Sequence, residues 1–341
     1  MNKGISFKFF KYVLPVLCLF SDRSFSSSRI IVDEKGEIIG NKNKRKFVWK
    51  RHAPFGMVLI PSGTFLMGGG VNQSVIPSTH VTEVKTVGPF YMDETEVTIA
   101  QYFAFLDIVK SDPEAYGLDI EYINAKLMPD MNSWQRDFGF MFMDDSFGTS
   151  YCNDPGFSDR PIVGITFEAA QQFARVRSIY RNKYLASKGL PPAPDFRLPT
   201  ALEWEYAAKG GSSSSQYPWG GPNVRDTKGN LLANFKVTKG NYSASGYTYT
   251  SPVKAFPPNG YGLYDMAGNV SEWCQDVYSP IAIYKDRSER SIDISDKTVF
   301  RVIKGGSWKD YAYALQTGVC DFENQEVARC YIGFRCVMSA V

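Results

Sequence analysis

The sequence predicts a turn-rich α+β fold in a single domain, and three observations carry that prediction. Short β-type runs are punctuated by glycine and proline, capped helical patterns recur between them, and aromatic residues and glycine are abundant: 24 Phe, 20 Tyr, 6 Trp and 29 Gly in 341 residues. A chain of this length can hold two average domains. Its distinctive phrases nevertheless run through nearly all of it in one series, which favours one. The formal net charge of +3 is close to balance and leaves no overall nucleic-acid footprint.

At the N-terminus, Lys3, Lys8 and Lys11 precede an apolar run, Tyr12 to Phe20, and a serine-rich stretch, Ser24 to Ser28. A basic region followed by a short apolar one reads as an export signal and is too short to span a bilayer. Residues 1–28 are therefore expected to direct export. Cys18 closes the apolar run where a lipoprotein carries its acylated cysteine, although Pro15-Val16-Leu17 lack the small residues expected beside it. Removal of Cys18 with a plain signal peptide is the competing reading. Residues 29–53 mix charges around Gly36 and Gly40 and read as an extended linker or short hairpin, with Lys42 to Lys50 a solvated basic run. The domain proper is assigned to 54–341.

Phe55 to Phe65 alternates apolar residues about Pro61 and Gly63, predicting two short strands across a turn, and His80 to Tyr91 has similar β character. Tyr102, Phe105, Leu106 and Val109 then fall at helical spacing, with Thr98 as the N-cap of a helix from Ile99. Residues 112–159 are irregular and carry Trp134 and the aromatic run Phe138 to Phe142. They read either as an exposed contact surface or as a loop collapsed onto its own core. Pro161 to Thr166 reads as a strand, and Phe167 to Tyr184 as a helix whose Arg175, Arg177 and Arg181 form a basic outer face. Thr200 and Glu203 make a capping box for a helix over Ala201 to Lys209. Its acids, Glu203 and Glu205, are expected to cap and to pair with Arg197 or Arg335. Residues 210–222 form a glycine- and serine-rich loop, and no phosphate-binding glycine motif accompanies it.

The densest local specification lies at 259–278, NGYGLYDMAGNVSEWCQDVY. Asp265 and Glu272 flank Gly268-Asn269, so a chain wrapped around the glycine would gather two carboxylates and several carbonyls, the donors calcium prefers. Both acids could equally be turn caps. Gly56-Met57-Val58, Ile60 to Gly68, Glu94 to Thr98, Arg197 to Thr200, Glu203 to Ala208, Tyr217 to Gly220, Lys304 to Trp308 and Gly333 to Cys336 stand around this segment in order. Together these phrases resemble the sulfatase-modifying-factor domain, the fold of the formylglycine-generating enzyme.

That resemblance implies an irregular α+β fold related to the C-type lectin fold, with structural calcium as its cofactor. It places a second calcium site on Asp265, Gly268, Val270 and Glu272, the middle two through their carbonyls. A first site would use Asn234, Phe235 and a later acid, but the acidic position holds Ser245, and losing a carboxylate lowers affinity. The family's enzymes oxidise a substrate cysteine with copper on a cysteine pair after the GGS phrase, and Cu(I) requires soft thiolates. Asp310 and Leu315 occupy those positions, so no copper and no catalytic residue are expected. A histidine-rich iron branch fares no better, since His52 and His80 both lie far upstream. Cys152, Cys274, Cys320, Cys330 and Cys336 would enter an oxidising compartment, where two of the last three are expected to pair.

Gly36 to Gly40, Pro54-Phe55-Gly56 and Phe90 to Asp93 sharpen the resemblance toward a non-catalytic branch of the family, the gliding-motility and type IX secretion lipoproteins of the GldK (PorK) group. It implies an exported scaffold at the periplasmic face of the outer membrane, lipid-anchored if Cys18 is acylated. Its partners would be a GldN (PorN)-like protein and other secretion-apparatus subunits in a ring-shaped assembly. The alternatives are a formylglycine-generating oxidase-like enzyme and a calcium-stabilised carbohydrate or peptide receptor.

Overall fold

The computed structural model describes residues 31–32, 38–39, 54–68, 82–139, 146–213, 215–278 and 299–340. The export signal with Cys18, most of the linker, and both histidines lie outside the described residues. Within the linker, β1 (Ile31–Val32) and β2 (Ile38–Ile39) pair antiparallel, with Ile31 opposite Ile39. Among the described residues no helix is long and apolar enough to cross a membrane.

The predicted strand pairs form on either side of their turns. β3 (Met57–Ile60) leads through Pro61 into β4 (Gly63–Met67), and β5 (Glu83–Val87) into β6 (Phe90–Asp93). β4 and β5 make a hairpin with Leu66 opposite Val84, while β3 pairs with β6, Leu59 opposite Tyr91. Two further strands, β7 (Phe196–Arg197) and the late β12 (Val337–Ser339), complete a sheet ordered β3-β6-β12-β7. A second sheet is ordered β10-β9-β8-β11 from β8 (Ser271–Val277), β9 (Phe300–Lys304), β10 (Cys320–Asn324) and β11 (Ile332–Gly333). Its β8–β11 pair is parallel, setting Gly333 against Glu272.

The helices begin where their caps predict. α1 (Ile99–Ser111) starts at a full capping box: Thr98 Oγ1 accepts the Gln101 N–H, and Gln101 returns its side chain to the Thr98 N–H. The insertion holds α2 (Ile120–Tyr122), α3 (Ser133–Phe138) and α4 (Ser146–Asn153), followed by the long α5 (Phe167–Ser187) capped by Thr166. α5 lies against α1 through Phe173, whose ring stacks on Tyr102 at 6.0 Å and meets Phe105 edge-on at 5.4 Å. α6 (Ala201–Ala208) has the predicted Thr200–Glu203 box. The described part of the insertion is packed inward: Trp134 is buried and touches the rings of Phe147, Tyr151, Tyr249 and Trp308, while Phe140 to Phe142 of the aromatic run lie outside the described residues.

Four expectations need correction. Residues 161–166 form no strand, only the single bridge from Pro161 to Thr98, because Gly164 turns to a φ of +72°, where a side chain would press on Asp130 O. Arg177 and Arg181 are buried rather than on a solvated face. Arg177 reaches Asp93 at 2.8 Å and covers the Phe196 ring at 4.2 Å, so its partners come from strands distant in sequence. Cys330 and Cys336 are both free thiols, so no bridge forms among the last three cysteines. Their backbones are anchored apart, Cys330 N–H on Asp137 and Cys336 N–H on Asp93. Finally, Glu205 does not meet Arg335. It lies between Lys304 (3.1 Å) and Lys209 (3.6 Å) and accepts the Gly68 N–H.

Candidate functional site

The 259–278 segment folds as a chain of side-chain-directed turns. Asn259 Oδ1 accepts the N–H groups of Tyr261 and Leu263, while its amide nitrogen donates to the Ala207 and Ala208 carbonyls at the end of α6. One side chain thereby shapes the loop and supplements the backbone bonds at the helix end, where the Gly210 N–H also meets the Ala207 carbonyl. Asp265, Gly268 and Asn269 then all take positive φ, +57°, +75° and +61°. At Gly268 a Cβ would overlap the Asn234 carbonyl, so the close approach of loop 234 to this turn demands glycine.

The turn delivers a buried charge cluster. Glu272 receives Arg335 on both oxygens, at 2.7 to 3.0 Å, and the Trp204 indole N–H at 2.8 Å. Arg335 spends its remaining donors on the carbonyls of Asp93 and Tyr264. Glu96 joins from the other side, accepting Asn269 Nδ2–H at 2.6 Å and the Val270 N–H at 3.1 Å. Burial, then the charges of Asp265 and Glu272, push the Glu96 carboxyl well above the usual range, and Arg335 and the Val270 N–H only partly oppose them. Burial likewise raises Asp265 to about 6, against the Lys254 N–H that its Oδ2 accepts.

Around the GGS phrase the geometry is that of a closed turn. Asp310 Oδ2 accepts Ser307 N–H at 3.0 Å and Ser307 Oγ–H at 2.6 Å, and Lys309 reaches Asp310 Oδ1 at 2.7 Å. Leu315 is fully buried in a small cluster with Tyr217, Ala233, Phe235 and Ala267. Cys320 stands on β10 opposite Lys304, and burial raises its thiol. One residue is a cap and the other a core plug.

The sulfatase-modifying factor enzyme 1-like domain matches residues 47–340. The chain belongs to the sulfatase-modifying factor family. Within that family it is similar to the formylglycine-generating enzyme of Thermomonospora curvata, 32% identical over 307 residues, covering 82% of this chain and 92% of that one. It is also similar to the inactive C-alpha-formylglycine-generating enzyme 2 of Mus musculus, 30% identical over 306 residues, with 83% and 86% covered. Among solved structures, PvdO from Pseudomonas aeruginosa superposes with a TM-score of 0.55 at 21% identity, over 83% of this chain and 94% of that one. CarF gives 0.52 at 23%, over 84% and 98%. These structures share the α+β sulfatase-modifying-factor fold.

The family's calcium donors can be tested against this geometry. Among the described residues no three His, Cys, Asp or Glu side chains gather as a metal-ligand group. In the second set, Asp265 keeps one oxygen on Lys254 N–H. Both Glu272 oxygens lie on the Arg335 guanidinium, a fixed positive charge that opposes an adjacent divalent cation. In the first set, Asn234 Oδ1 accepts a hydrogen bond from Ser245. As placed, the Glu272 and Asn234 side-chain oxygens are committed to protein partners and do not fit a bound calcium ion.

Three participants escaped the sequence reading: Glu96, Asn269 and the role of Arg335. A signal existed for the last. An arginine between Phe334 and Cys336 in a run otherwise apolar marks a buried, paired charge. Glu96 carried none, since its partners lie 173 and 174 positions on.

Proposed function

We propose that this chain is a non-catalytic, exported scaffold component of the type IX protein secretion and gliding-motility apparatus. The observation that supports the non-catalytic reading is the use made of two positions. Where the family's enzymes carry copper-binding thiols, Asp310 caps Ser307 and Leu315 fills a core cluster. Neither side chain can serve a soft metal, and the single thiol of Cys320 does not replace a pair. The mouse relative named as inactive supports the existence of family members without the activity. The phrases at Gly36 to Gly40, Pro54 to Gly56 and Phe90 to Asp93 support the assignment to secretion and gliding. On this reading the chain sits at the periplasmic face of the outer membrane, held by lipid if Cys18 is acylated, and binds a GldN (PorN)-like partner in a ring.

A second reading, a formylglycine-generating oxidase, is favoured by the 32% identity to an enzyme of that name. Incubating the purified chain with Cu(I) and a cysteine-containing peptide under oxygen separates the two. No aldehyde is expected; aldehyde formation would overturn the scaffold reading. Identification of proteins retained after detergent solubilisation of membranes tests the assembly, and recovery of a partner-free chain in the soluble fraction would refute it.

A further inference from the structure

We propose that the first calcium loop of this chain is closed without a metal, a direct Ser245–Asn234 hydrogen bond standing where a cation would bridge the loop. Ser245 Oγ donates to Asn234 Oδ1 at 2.7 Å, spending the amide oxygen that a calcium ion would need. The Asn234 nitrogen donates to the Tyr249 carbonyl at 2.7 Å, and the Asn234 carbonyl accepts Asn269 N–H at 2.8 Å. Asn234 is 1% exposed, while Ser245 and Tyr249 are half-buried, so the bonds lie at the edge of the core.

The relay continues inward. Asn269 Oδ1 accepts Ser251 N–H at 2.8 Å and Ser251 Oγ–H at 3.2 Å, and its amide nitrogen reaches Glu96 at 2.6 Å. A neutral ladder thus ties the 234–251 loop to the signature turn and to the Glu96–Arg335 cluster. Charge makes the same point. The donors left to a cation here would be an amide, a backbone carbonyl and a hydroxyl, none ionised, and calcium affinity falls with the number of ionised ligands. The loop therefore holds its shape through polar side chains that already satisfy one another.

The test compares thermal unfolding of the full chain, Ser245→Ala and Ser245→Asp, each in chelator and in millimolar calcium chloride. Ser245→Ala should lower Tm by about 1–2 °C, the shift one hydrogen bond makes in a domain of more than about 250 residues, equally in both conditions. Ser245→Asp should acquire a calcium-dependent rise in Tm beyond any shown by the unaltered chain. Isothermal titration with calcium should show one added site in Ser245→Asp. A calcium response of the unaltered chain that Ser245→Ala abolishes would overturn the proposal, because Ser245 would then be a ligand. So would a Ser245→Asp chain with no added response, because the hydroxyl would not occupy a cation's place.

Discussion

Arg335→Met should destabilise the protein more than Glu272→Gln, and the margin follows from the charges around the guanidinium. Arg335 is 0% exposed, bonds Glu272 with three contacts between 2.7 and 3.0 Å, and is also attracted by Glu96 and Asp265. Removing it leaves three buried acids without the cation they share. Breaking a buried pair in this way costs about 3–5 kcal/mol, against a total stability of about 5–15 kcal/mol for a typical protein. Glu272→Gln is milder. Arg335 still faces Glu96 and Asp265, and a glutamine oxygen turned to the Arg335 side keeps its bonds to Nε and Nη2 while the Trp204 indole and one guanidinium contact are lost, a cost of about 1.5–3 kcal/mol. Urea unfolding of both variants and of the double variant, followed by tryptophan fluorescence, measures the two costs and their coupling. The double variant should lose less than the sum of the singles. A Glu272→Gln loss equal to or above that of Arg335→Met, or strict additivity, would refute the arrangement.

Gly268→Ala should cost at least about 2 kcal/mol, since it combines a left-handed φ with overlap onto the Asn234 carbonyl; an unchanged Tm would contradict the close approach. Leu315→Ala should lose about 2–5 kcal/mol from a fully buried site, measurable by urea unfolding, whereas a loss well under that would mean the side chain is not a core plug. Glu203 gives a pH test. Burial alone would raise its carboxyl, but Arg197 and the Thr200 cap outweigh burial and hold it below the ordinary glutamate value. Because the folded value lies below the unfolded one, its contribution is present above the unfolded value and lost as pH falls through the folded one. The decline in Tm below the ordinary glutamate range should therefore be shallower in Glu203→Gln; an identical acid limb would argue against the pairing.

What was legible in the sequence was local. Thr98 and the Thr200–Glu203 box announce helix starts because a cap needs only residues three apart, and the strands on either side of Pro61 are punctuated by their own turn chemistry. The signature turn was legible as a turn because Gly262 and Gly268 sit at positive φ. The destination of its acids was not. Glu272 finds Arg335 across 63 positions and Trp204 across 68, and Arg177 finds Asp93 across 84. Charge alone could not say that these arginines were buried, because a basic helix face looks the same in sequence whether water or another strand covers it. Pro161 to Thr166 failed for the same reason: it bridges Thr98 at Pro161, but Gly164 turns to positive φ with its carbonyl on the Asp130 N–H, a distant partner that no local pattern encodes.

The position of β12 has a consequence in time. It follows every other described strand, yet it lies inside its sheet, with Met92 opposite Val337 on one side and Arg197 on the other. β6 and β7 are joined only through Val337 to Ser339, so this sheet closes through pairings between residues far apart in sequence, the distant kind that folds slowly. Deleting Arg335 to Ser339 would remove at once the strand that joins β6 to β7 and the cation of the buried acid cluster.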